Sequence, residues 1–454
     1  MGAEVSLLGS VECGEEVSLA GTGLGLIWNS LYPARYKNST APPSSTGAEP
    51  SKLSLFLRSH AEPCSPETRQ FFANGVKRLK QLRHPSILHY VAASSDEAQT
   101  LLLTERVRPL ELILPDLQPI QILAGLQDIL SALVFLHDRA QTCHNNLSPV
   151  SVFVGLDGSW KLGGLECAAA AAESRHWIAS DFAKTVKTPP FVPPEDHDIM
   201  KKGNFPAHAG DVYAFGQLVA HTLPYLEDRT TVSEEQKRAL QELVAAATQE
   251  DGCLRPQFPV FLHADVFQNE LSSISSFLDD LITKDEAAYA HFFTSLCKRL
   301  EELPAEIYCR RLGKKLLARY VFLNSAAAVH FLPRFLRPVQ EDGEGEAEGL
   351  VPESVFRRHL MPELGRAWCV HEVALRLALL AQLPHYVHSF PESVLRNLIL
   401  PELLLGMKDE NEEIVAGSLV GLAALVPLLG ASAVTGLEQS KYFHDGRPKE
   451  VIAE

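Results

Sequence analysis

The second half of the sequence contains an internal repeat. Residues 351–364 read VPESVFRRHLMPEL and residues 390–403 read FPESVLRNLILPEL, so eight of the fourteen positions are identical at an offset of 39 residues. A period of about 40 in apolar, helix-forming sequence is typical of helical hairpins that bury their apolar faces only against neighbouring hairpins. Two amphipathic helices that are alike by chance are the alternative. We therefore expect this part of the chain to fold as a stack of paired helices.

The second helix of each pair is predicted after each repeated segment, at residues 371–383 and 412–425. Three earlier segments also have helical patterns, and they lie at 285–303, 306–322 and 325–337. A repeat of this length is in the range of HEAT and armadillo repeats, which predicts roughly four or five pairs. The sequence thus predicts an all-α HEAT-repeat solenoid over residues 270–440, followed by a C-terminal extension at 441–454.

One uncharged stretch, residues 414–437, is long enough to cross a bilayer. Pro427 and Gly430 interrupt this stretch, and the acidic residues Glu412 and Glu413 stand directly before it. We therefore expect two buried helices that meet at Pro427 rather than a membrane span.

The first half of the chain has the ordered landmarks of a protein kinase domain. A helical apolar pattern that ends at His137 precedes the loop at residues 144–151, HNNLSPVS, and two short strand patterns follow. In a kinase this loop holds the catalytic Asp, a Lys and a metal-binding Asn. The corresponding residues here are Asn146, Ser148 and Ser151. The loop therefore has the pattern of a catalytic loop without its chemical groups.

Three further catalytic positions are altered. Gly164 stands at the place of the metal-binding Asp of the D-F-G element, and Arg58 or Ser59 stands at the place of the phosphate-binding Lys. No acidic residue occurs from Thr68 to His84, and the Glu that should pair with that Lys is replaced by Gly75. Loss of the catalytic base alone forfeits a factor of about 10²–10⁴ in rate. Together these changes predict no kinase chemistry, no bound metal and no cofactor.

Residues that hold the large lobe of a kinase together are retained. Glu195 ends a Pro-Pro-Glu element, Asp211 begins a helix of the Asp-Val-x-x-Phe-Gly type, and Arg255 is expected to pair with Glu195. An unrelated α+β domain with accidental matches is the alternative, but six elements occur in the correct order. The sequence predicts an α+β bilobal protein-kinase-like domain at 21–269, with residues 1–20 leading into it.

A glycine cluster leaves a second hypothesis open. Gly21, Gly23 and Gly25 resemble a phosphate-covering loop, but the spacing is G-x-G-x-G rather than G-x-G-x-x-G. A hairpin turn fits the cluster equally well. Together with Arg58, these glycines would be the nucleotide-binding residues of an atypical kinase or an ATP-binding switch.

The N-terminus and the charge bear on location and partners. Residues 1–6 fit the pattern for N-myristoylation at Gly2. One myristoyl chain binds membranes with an association constant of only about 10⁴ M⁻¹, so we expect a protein partner to supply a second contact. The net charge of −15 argues against nucleic acid as a partner. Eight scattered cysteines without a CxxC motif predict a cytoplasmic protein with reduced thiols and no zinc site.

The whole pattern resembles the Scy-like pseudokinase family. The resemblance is carried by HNN at 144–146, KLGG at 161–164, the HEAT-type repeat, and the segments 103–111 and 135–139. It implies a non-catalytic adaptor or scaffold at Golgi membranes and lamellipodia, with roles in membrane trafficking, cell adhesion and migration. It also implies protein partners, such as the membrane–cytoskeleton linker ezrin, bound through the HEAT surface. Members of the family usually continue past the repeats into a long low-complexity tail.

Overall fold

The computed structural model of the chain divides into two compact units, Met1–Asn269 and Glu270–Glu454. The described residues are 8–37, 52–60, 66–96, 98–197, 206, 208–226, 232–267, 269–340, 349–435, 443–444 and 447–448. Gly2, the expected lipidation site, lies outside them, as does most of the expected C-terminal extension at 441–454.

The first unit begins with an antiparallel sheet of five strands in the order β1–β2–β3–β5–β4. The strands are β1 (Val11–Cys13), β2 (Ser30–Tyr36), β3 (Leu53–Ser59), β4 (Tyr90–Ser95) and β5 (Gln99–Glu105). A four-residue helix, α1 (Leu24–Ile27), lies between β1 and β2. Helix α2 (Pro66–Gln81) buries Phe72, Gly75 and Leu79, which lie on one face of the helix at a spacing of three to four residues.

The larger part of this unit is helical and is organised around helix α4 (Pro119–Val134). The helix begins with Pro119 in its first turn, a position where the missing N–H costs nothing. Gly125 is required on this helix, because a Cβ there would lie 2.1 Å from the ring of Trp160. One apolar cluster contains Phe56 and Phe72 from the sheet side together with Phe215 from the helical side, and a smaller cluster that includes Leu53 and Leu103 lies on the sheet.

The remaining elements of the first unit complete the kinase-like order. They are β6 (Val107–Pro109), α3 (Leu110–Ile113), β7 (Thr142–Cys143), β8 (Val152–Gly155), β9 (Trp160–Leu162), β10 (Ala169–Ala170), α5 (Ser174–Ile178), α6 (Asp181–Val186), α7 (Pro194–His197), α8 (Ala209–Thr222), α9 (Glu234–Ala247) and α10 (Phe258–Leu262). Strands β6, β8 and β9 form a second antiparallel sheet, in which β8 and β9 directly follow the loop at 144–151.

The second unit is almost entirely helical over its described residues. Its helices are α11 (Glu270–Asp279), α12 (Glu286–Glu301), α13 (Ala305–Leu316), α14 (Arg319–Phe322), α15 (Ser325–His330), α16 (Leu332–Phe335), α17 (353–368), α18 (Val373–Tyr386), α19 (392–406), α20 (Glu412–Leu429) and α21 (Ala431–Thr435). Two short pairs of strands accompany them, Pro338–Val339 with Val351–Pro352 and Phe443–His444 with Arg447–Pro448.

The 39-residue repeat has a structural counterpart in two hairpins, α17–α18 and α19–α20. Both first helices contain a π-helical turn at the same offset, Phe356–Leu360 in α17 and Leu395–Ile399 in α19. Each π turn is followed by a repeated proline, Pro362 or Pro401. Proline lacks an N–H and clashes with the carbonyl four residues earlier, so a locally widened turn relieves the clash. The repeated sequence therefore produces a repeated deviation from α-helical geometry.

Small residues let the second hairpin pack closely on the first. A Cβ added at Gly417 of α20 would lie 3.1 Å from the Cβ of Leu380 in α18, and one added at Gly421 would lie 2.9 Å from Leu383. The buried guanidinium of Arg376 adds a polar contact, because it donates to the carboxylate of Asp409 at 3.2 Å.

The expected break in the uncharged stretch is wrong in its position. Helix α20 continues through Pro427 to Leu429, and the chain turns at Gly430, which has a left-handed φ of 84°. Nor is the helix fully buried, because Leu419 and Val420 are 51% and 56% exposed.

Two helices, Pro119–Arg139 and Glu412–Leu429, are long and apolar enough to cross a membrane by length and composition alone. The first contains α4, whose side chains are mostly buried in the core of the first unit. Buried core helices of soluble proteins can have the same length and apolar composition. These two properties are therefore weak support for a membrane span.

Candidate nucleotide site

The loop at 144–151 is held by the buried carboxylate of Asp211 on α8. The backbone N–H of His144 donates to Oδ2 of Asp211 at 2.6 Å, and that of Asn145 donates to Oδ1 at 2.8 Å. Nε2 of His137 lies 2.8 Å from Oδ2. Burial alone would raise the pKa of Asp211, but the hydrogen bonds and charges of His137 and His144 lower it to about 2. The loop thus keeps its anchor.

A second anchor joins Glu195 and Arg255. The two terminal guanidinium nitrogens of Arg255 donate to the two carboxylate oxygens of Glu195 at 2.6 and 2.9 Å. Arg255 also donates to the carbonyls of Ala209 and Gln249, and its guanidinium lies over the ring of Tyr213. A bidentate, fully hydrogen-bonded pair of this kind fixes geometry strongly. The pair therefore joins α7 to the start of α8 and to the segment at 249–255.

Two of the altered positions in the loop, Ser148 and Ser151, are hydrogen-bonded to each other. Asn146, Ser148 and Ser151 are buried, and Ser151 Oγ donates to the Ser148 carbonyl at 2.9 Å and accepts from the Ser148 N–H at 3.1 Å. A cavity beside Asn146 has a volume of only ≈ 20 Å³. That space is about the size of one water molecule.

The two former metal-ligand positions touch each other. Gly164 has a left-handed φ of 64°, and a Cβ built on it would lie 2.6 Å from the Cβ of Ser151. A magnesium ion needs oxygen ligands at about 2.0–2.1 Å in octahedral geometry. A carboxylate cannot be accommodated at Gly164 without moving Ser151, so the residues present do not fit a metal ion.

Glu166 occupies the space beside helix α2. A Cβ added at Gly75 would lie 3.1 Å from Glu166 Cγ and 3.3 Å from Glu166 Cα. The side-chain amide of Asn74 donates to the carbonyls of Glu166 and Ala168, both at 2.9 Å. Burial raises the pKa of the Glu166 carboxyl to about 7. The absence of a side chain at Gly75 therefore allows α2 to pack closely against the segment that contains Glu166.

Arg58 binds carbonyl groups rather than an open site. Its Nη1 donates to the carbonyl oxygens of Leu26 and Ile27, both at 3.2 Å, and the guanidinium lies 5.7 Å from the ring centre of Phe72. The last carbonyls of a helix lack partners within the helix, and a cation there is favourable. Arg58 consequently caps α1.

The glycine cluster lies in the connection between the paired strands β1 and β2, and part of it is helical. Gly21 has a φ of 78°, and Gly23 and Gly25 lead into and lie within α1. The N–H of Gly23 donates to Oε1 of Glu111 at 3.2 Å, and a Cβ on Gly23 would lie 2.5 Å from Val150. The glycines therefore permit this segment to lie directly against the loop at 144–151.

Aromatic rings fill the place between the sheet and that loop. Counting back from Arg58, Phe56 stands at the Ala of the kinase V-A-I-K element. Its ring meets Phe153, two residues after Ser151, edge to face at 5.4 Å, and Trp28 at 5.5 Å. The sequence reasoning missed Phe56, Phe153 and Glu166. The first could have been found from a large ring at an alanine position.

Three side chains of types that bind metal ions lie close together in the first unit. The ligand atoms of His137, Cys143 and Asp211 all lie within 4.8 Å of one another. Burial raises the pKa of the Cys143 thiol to about 12, which disfavours the thiolate that binds metals. The oxygens of Asp211 are already used by the loop, so the group is better explained as structural.

The fold and several sequences relate this chain to known proteins. It is 37% identical over 375 residues to the mouse protein-associating with the carboxyl-terminal domain of ezrin, an alignment that covers 82% of this chain and 51% of the relative. It is 24% identical over 356 residues to the probable inactive serine/threonine-protein kinase scy1 of Dictyostelium discoideum, covering 76% of this chain and 42% of the relative. The chain is therefore similar to proteins of the Scy1 type.

These similarities confirm the resemblance expected from the sequence. Human SCY1-like protein 2 is 21% identical over 378 residues, covering 72% of this chain and 39% of the relative. The crystal structure of Cex1p has the same fold at 17% identity, with a TM-score of 0.51, covering 92% of this chain and 73% of that one. No model of a known protein family matches the chain. The chain spans about half the length of the curated relatives it matches.

The buried Glu166 carboxyl makes stability depend on pH. Its folded pKa of about 7 exceeds the ordinary value of 4.5, so the folded state binds the proton more tightly and loses stability as pH rises through 7. We expect the free energy of unfolding to fall by about 2 kcal/mol between pH 5.5 and 8 from this group. Urea unfolding of Glu166→Gln should lack this decrease, whereas the exposed control Glu173→Gln should keep it. Equal pH profiles for wild type and Glu166→Gln would contradict the assignment.

Proposed function

We propose that this chain is a catalytically inactive, protein-kinase-like adaptor. In this proposal the first unit is a structural scaffold, and the second unit presents a surface to protein partners. The observation that carries it is the direct contact across the site where a kinase holds its nucleotide, Phe56 against Phe153 and Gly23 against Val150. A nucleotide between the sheet and the loop would have to displace both contacts.

The chemical groups support the same conclusion. Phosphoryl transfer depends on a positioned base, a phosphate-binding cation and metal ions that neutralise developing charge. At the corresponding places Asn146 is an amide, Arg58 is committed to the carbonyls of α1, and Ser151 and Gly164 touch. To gain phosphoryl-transfer activity, the chain would therefore need changes in backbone packing as well as in residue type.

We further propose that the second unit is a HEAT-repeat solenoid over residues 270–440. The support is the 39-residue offset between α17 and α19. Their sequences, their π-helical turns and an ion pair within each helix all correspond at this offset. Arg357 pairs with Glu353 in α17, and Arg396 pairs with Glu392 in α19. Stacked hairpins of this kind build extended surfaces for binding other proteins.

The rival hypothesis is an atypical kinase or an ATP-binding switch. It would require Arg58 to leave the carbonyls of Leu26 and Ile27, and Gly23 to separate from Val150. A ligand stabilises the folded state by mass action whenever it binds that state, so nucleotide binding is directly measurable.

We expect no change in the melting temperature of the full chain with ATP, with or without Mg²⁺. The double variant Ser151→Asn/Gly164→Asp, which restores the metal-ligand residue types, should also show no Mg²⁺–ATP shift. It should be less stable by at least about 1–2 kcal/mol, because a side chain at a left-handed position is strained. The measurement is thermal unfolding followed by fluorescence. A Mg²⁺-dependent shift in the wild-type chain would favour the ATP switch.

Membrane attachment through Gly2 is the second part of the proposal. The support is the N-terminal pattern and the family resemblance, and the expected locations are the cytoplasmic face of Golgi membranes and lamellipodia. We expect the intact mass of the chain from eukaryotic cells to show one myristoyl group, and Gly2→Ala to shift the protein from the membrane to the soluble fraction. An unmodified wild-type N-terminus would remove the lipid anchor from this account.

The partner is the third part, and it draws on the relative described as associating with the carboxyl-terminal domain of ezrin. We propose that this chain binds the same domain, or one of similar kind, through its second unit, and so acts in adhesion, migration and membrane trafficking. Hydrogen–deuterium exchange of the full chain with purified ezrin carboxyl-terminal domain should show protection within 270–435 and none within 8–267. Protection confined to the first unit, or no binding, would refute this assignment.

A further inference from the structure

Helix α20 is apolar on two faces. One face is buried, and the other exposes residues at the three- and four-residue spacing of a single helical stripe. Leu419, Val420 and Leu428 on the exposed side are 51%, 56% and 40% accessible, and Ala416 and Ala423 lie exposed beside them. A helix that is apolar all round is normally buried all round. The exposed stripe of α20, Ala416 to Leu428, is called the outer face below.

The internal repeat identifies the outer face as a packing surface. Leu380 of α18 and Leu419 of α20 occupy the same position at the 39-residue offset. Leu380 is only 5% exposed, because Gly417 of the next hairpin lies against it. Leu419 is 51% exposed, and no hairpin covers it in the described part of the chain. By analogy with Leu380, the surface around Leu419 is suited to packing against a helix that carries small residues.

We propose that a second copy of this chain covers the outer face, with two α20 helices crossing in antiparallel orientation at Leu419 and Val420. In the exposed pattern Ala416-x-x-Leu419-Val420-x-x-Ala423, the order of side-chain sizes is small, large, large, small. This order is the same when the pattern is read from either end. A two-fold axis requires such a self-complementary surface. The alanines of each copy supply small residues beside the bulky pair of the other, as Gly417 does for Leu380.

Charge supports the antiparallel orientation. Glu410, Glu412 and Glu413 are exposed at the N-terminal end of α20, and no charged residue follows along its outer face. In an antiparallel pair these acidic ends lie roughly 20 Å apart, from a rise of 1.5 Å per residue, whereas a parallel pair would bring like charges together. The same acids disfavour insertion into an anionic membrane surface.

The neighbouring helix can enlarge the interface. Leu404, Leu405 and Met407 at the C-terminal end of α19 are 43%, 48% and 42% exposed. A stable interface buries about 800 Å² per partner, which is more than one stripe of a single helix supplies. We therefore expect residues of α19 to contribute. This proposal rests on the packing of the repeat and is independent of nucleotide, lipid and ezrin.

The test is the oligomeric state of the full chain. Sedimentation velocity over a concentration series should show a monomer–dimer equilibrium, and Leu419→Glu/Val420→Glu should shift it to monomer by at least tenfold in dissociation constant. Both residues are exposed, so the monomer should remain folded by circular dichroism. The matched control Val329→Glu, 68% exposed on α15 of the same unit, should leave the equilibrium unchanged. A monomer at all concentrations, or a dimer unaffected by the double variant, would overturn the proposal.

Cysteine cross-linking tests the orientation. In a chain in which Cys64 and the exposed cysteines of the described residues, Cys13, Cys253 and Cys369, are replaced by serine, Val420→Cys should form a disulfide-linked dimer under mild oxidation. Glu412→Cys should not, because the two ends are far apart. Efficient cross-linking at position 412 would refute the antiparallel arrangement.

A vesicle experiment tests whether the outer face binds a membrane instead. The unmyristoylated chain is floated with phosphatidylcholine–phosphatidylserine vesicles. Flotation that is lost in Leu419→Glu/Val420→Glu would assign the outer face to a membrane and overturn the proposal.

Discussion

The shape of the kinase-like unit depends on the buried carboxylate of Asp211. It accepts the backbone N–H groups of His144 and Asn145 and lies within hydrogen-bonding distance of His137. Removing it would leave several buried donors without partners, a cost of about 1–3 kcal/mol for each group. Because Asp211 binds the backbone of the loop, the loop keeps its course whatever side chains stand at the catalytic positions. The course of the loop therefore does not depend on the side chain at position 146.

The residues predicted to stand at a nucleotide site make contacts within the first unit. An arginine at the position of the phosphate-binding lysine would be a costly partly buried charge without a partner, and Arg58 avoids this by donating to the carbonyls of Leu26 and Ile27. The aromatic contact of Phe56 with Phe153 joins the two parts of the unit into one core. In an active kinase that junction must open for nucleotide. Here it is filled by apolar packing, which favours a rigid scaffold over a hinge.

Local motifs were predictable from the sequence, and contacts between distant segments were not. Glu195, Asp211 and Arg255 stand in short patterns whose order along the chain indicates a kinase-like fold. The contact of Phe56 with Phe153 joins β3 to β8, and no local pattern indicates which rings meet. The glycine cluster fitted a turn or a phosphate loop equally well. Its helical conformation depends on tertiary contacts, with Arg58 at one end and Val150 against Gly23.

The repeat is the part of the sequence that carries long-range information, because it relates the surroundings of one residue to those of another. Pro427 was expected to end a helix, yet α20 continues through it. The carbonyl that loses its partner belongs to the exposed Ala423, where water can replace the bond. By contrast, the offset of 39 residues correctly relates Leu380 to Leu419 and shows that the same side chain is buried in one hairpin and exposed in the next. A repeat protein buries each hairpin only against its neighbours, so an exposed packing face on α20 is a free-energy cost that association can remove. The exposed face of α20 therefore calls for a partner on physical grounds, and the symmetry of its side chains favours a second copy of the chain.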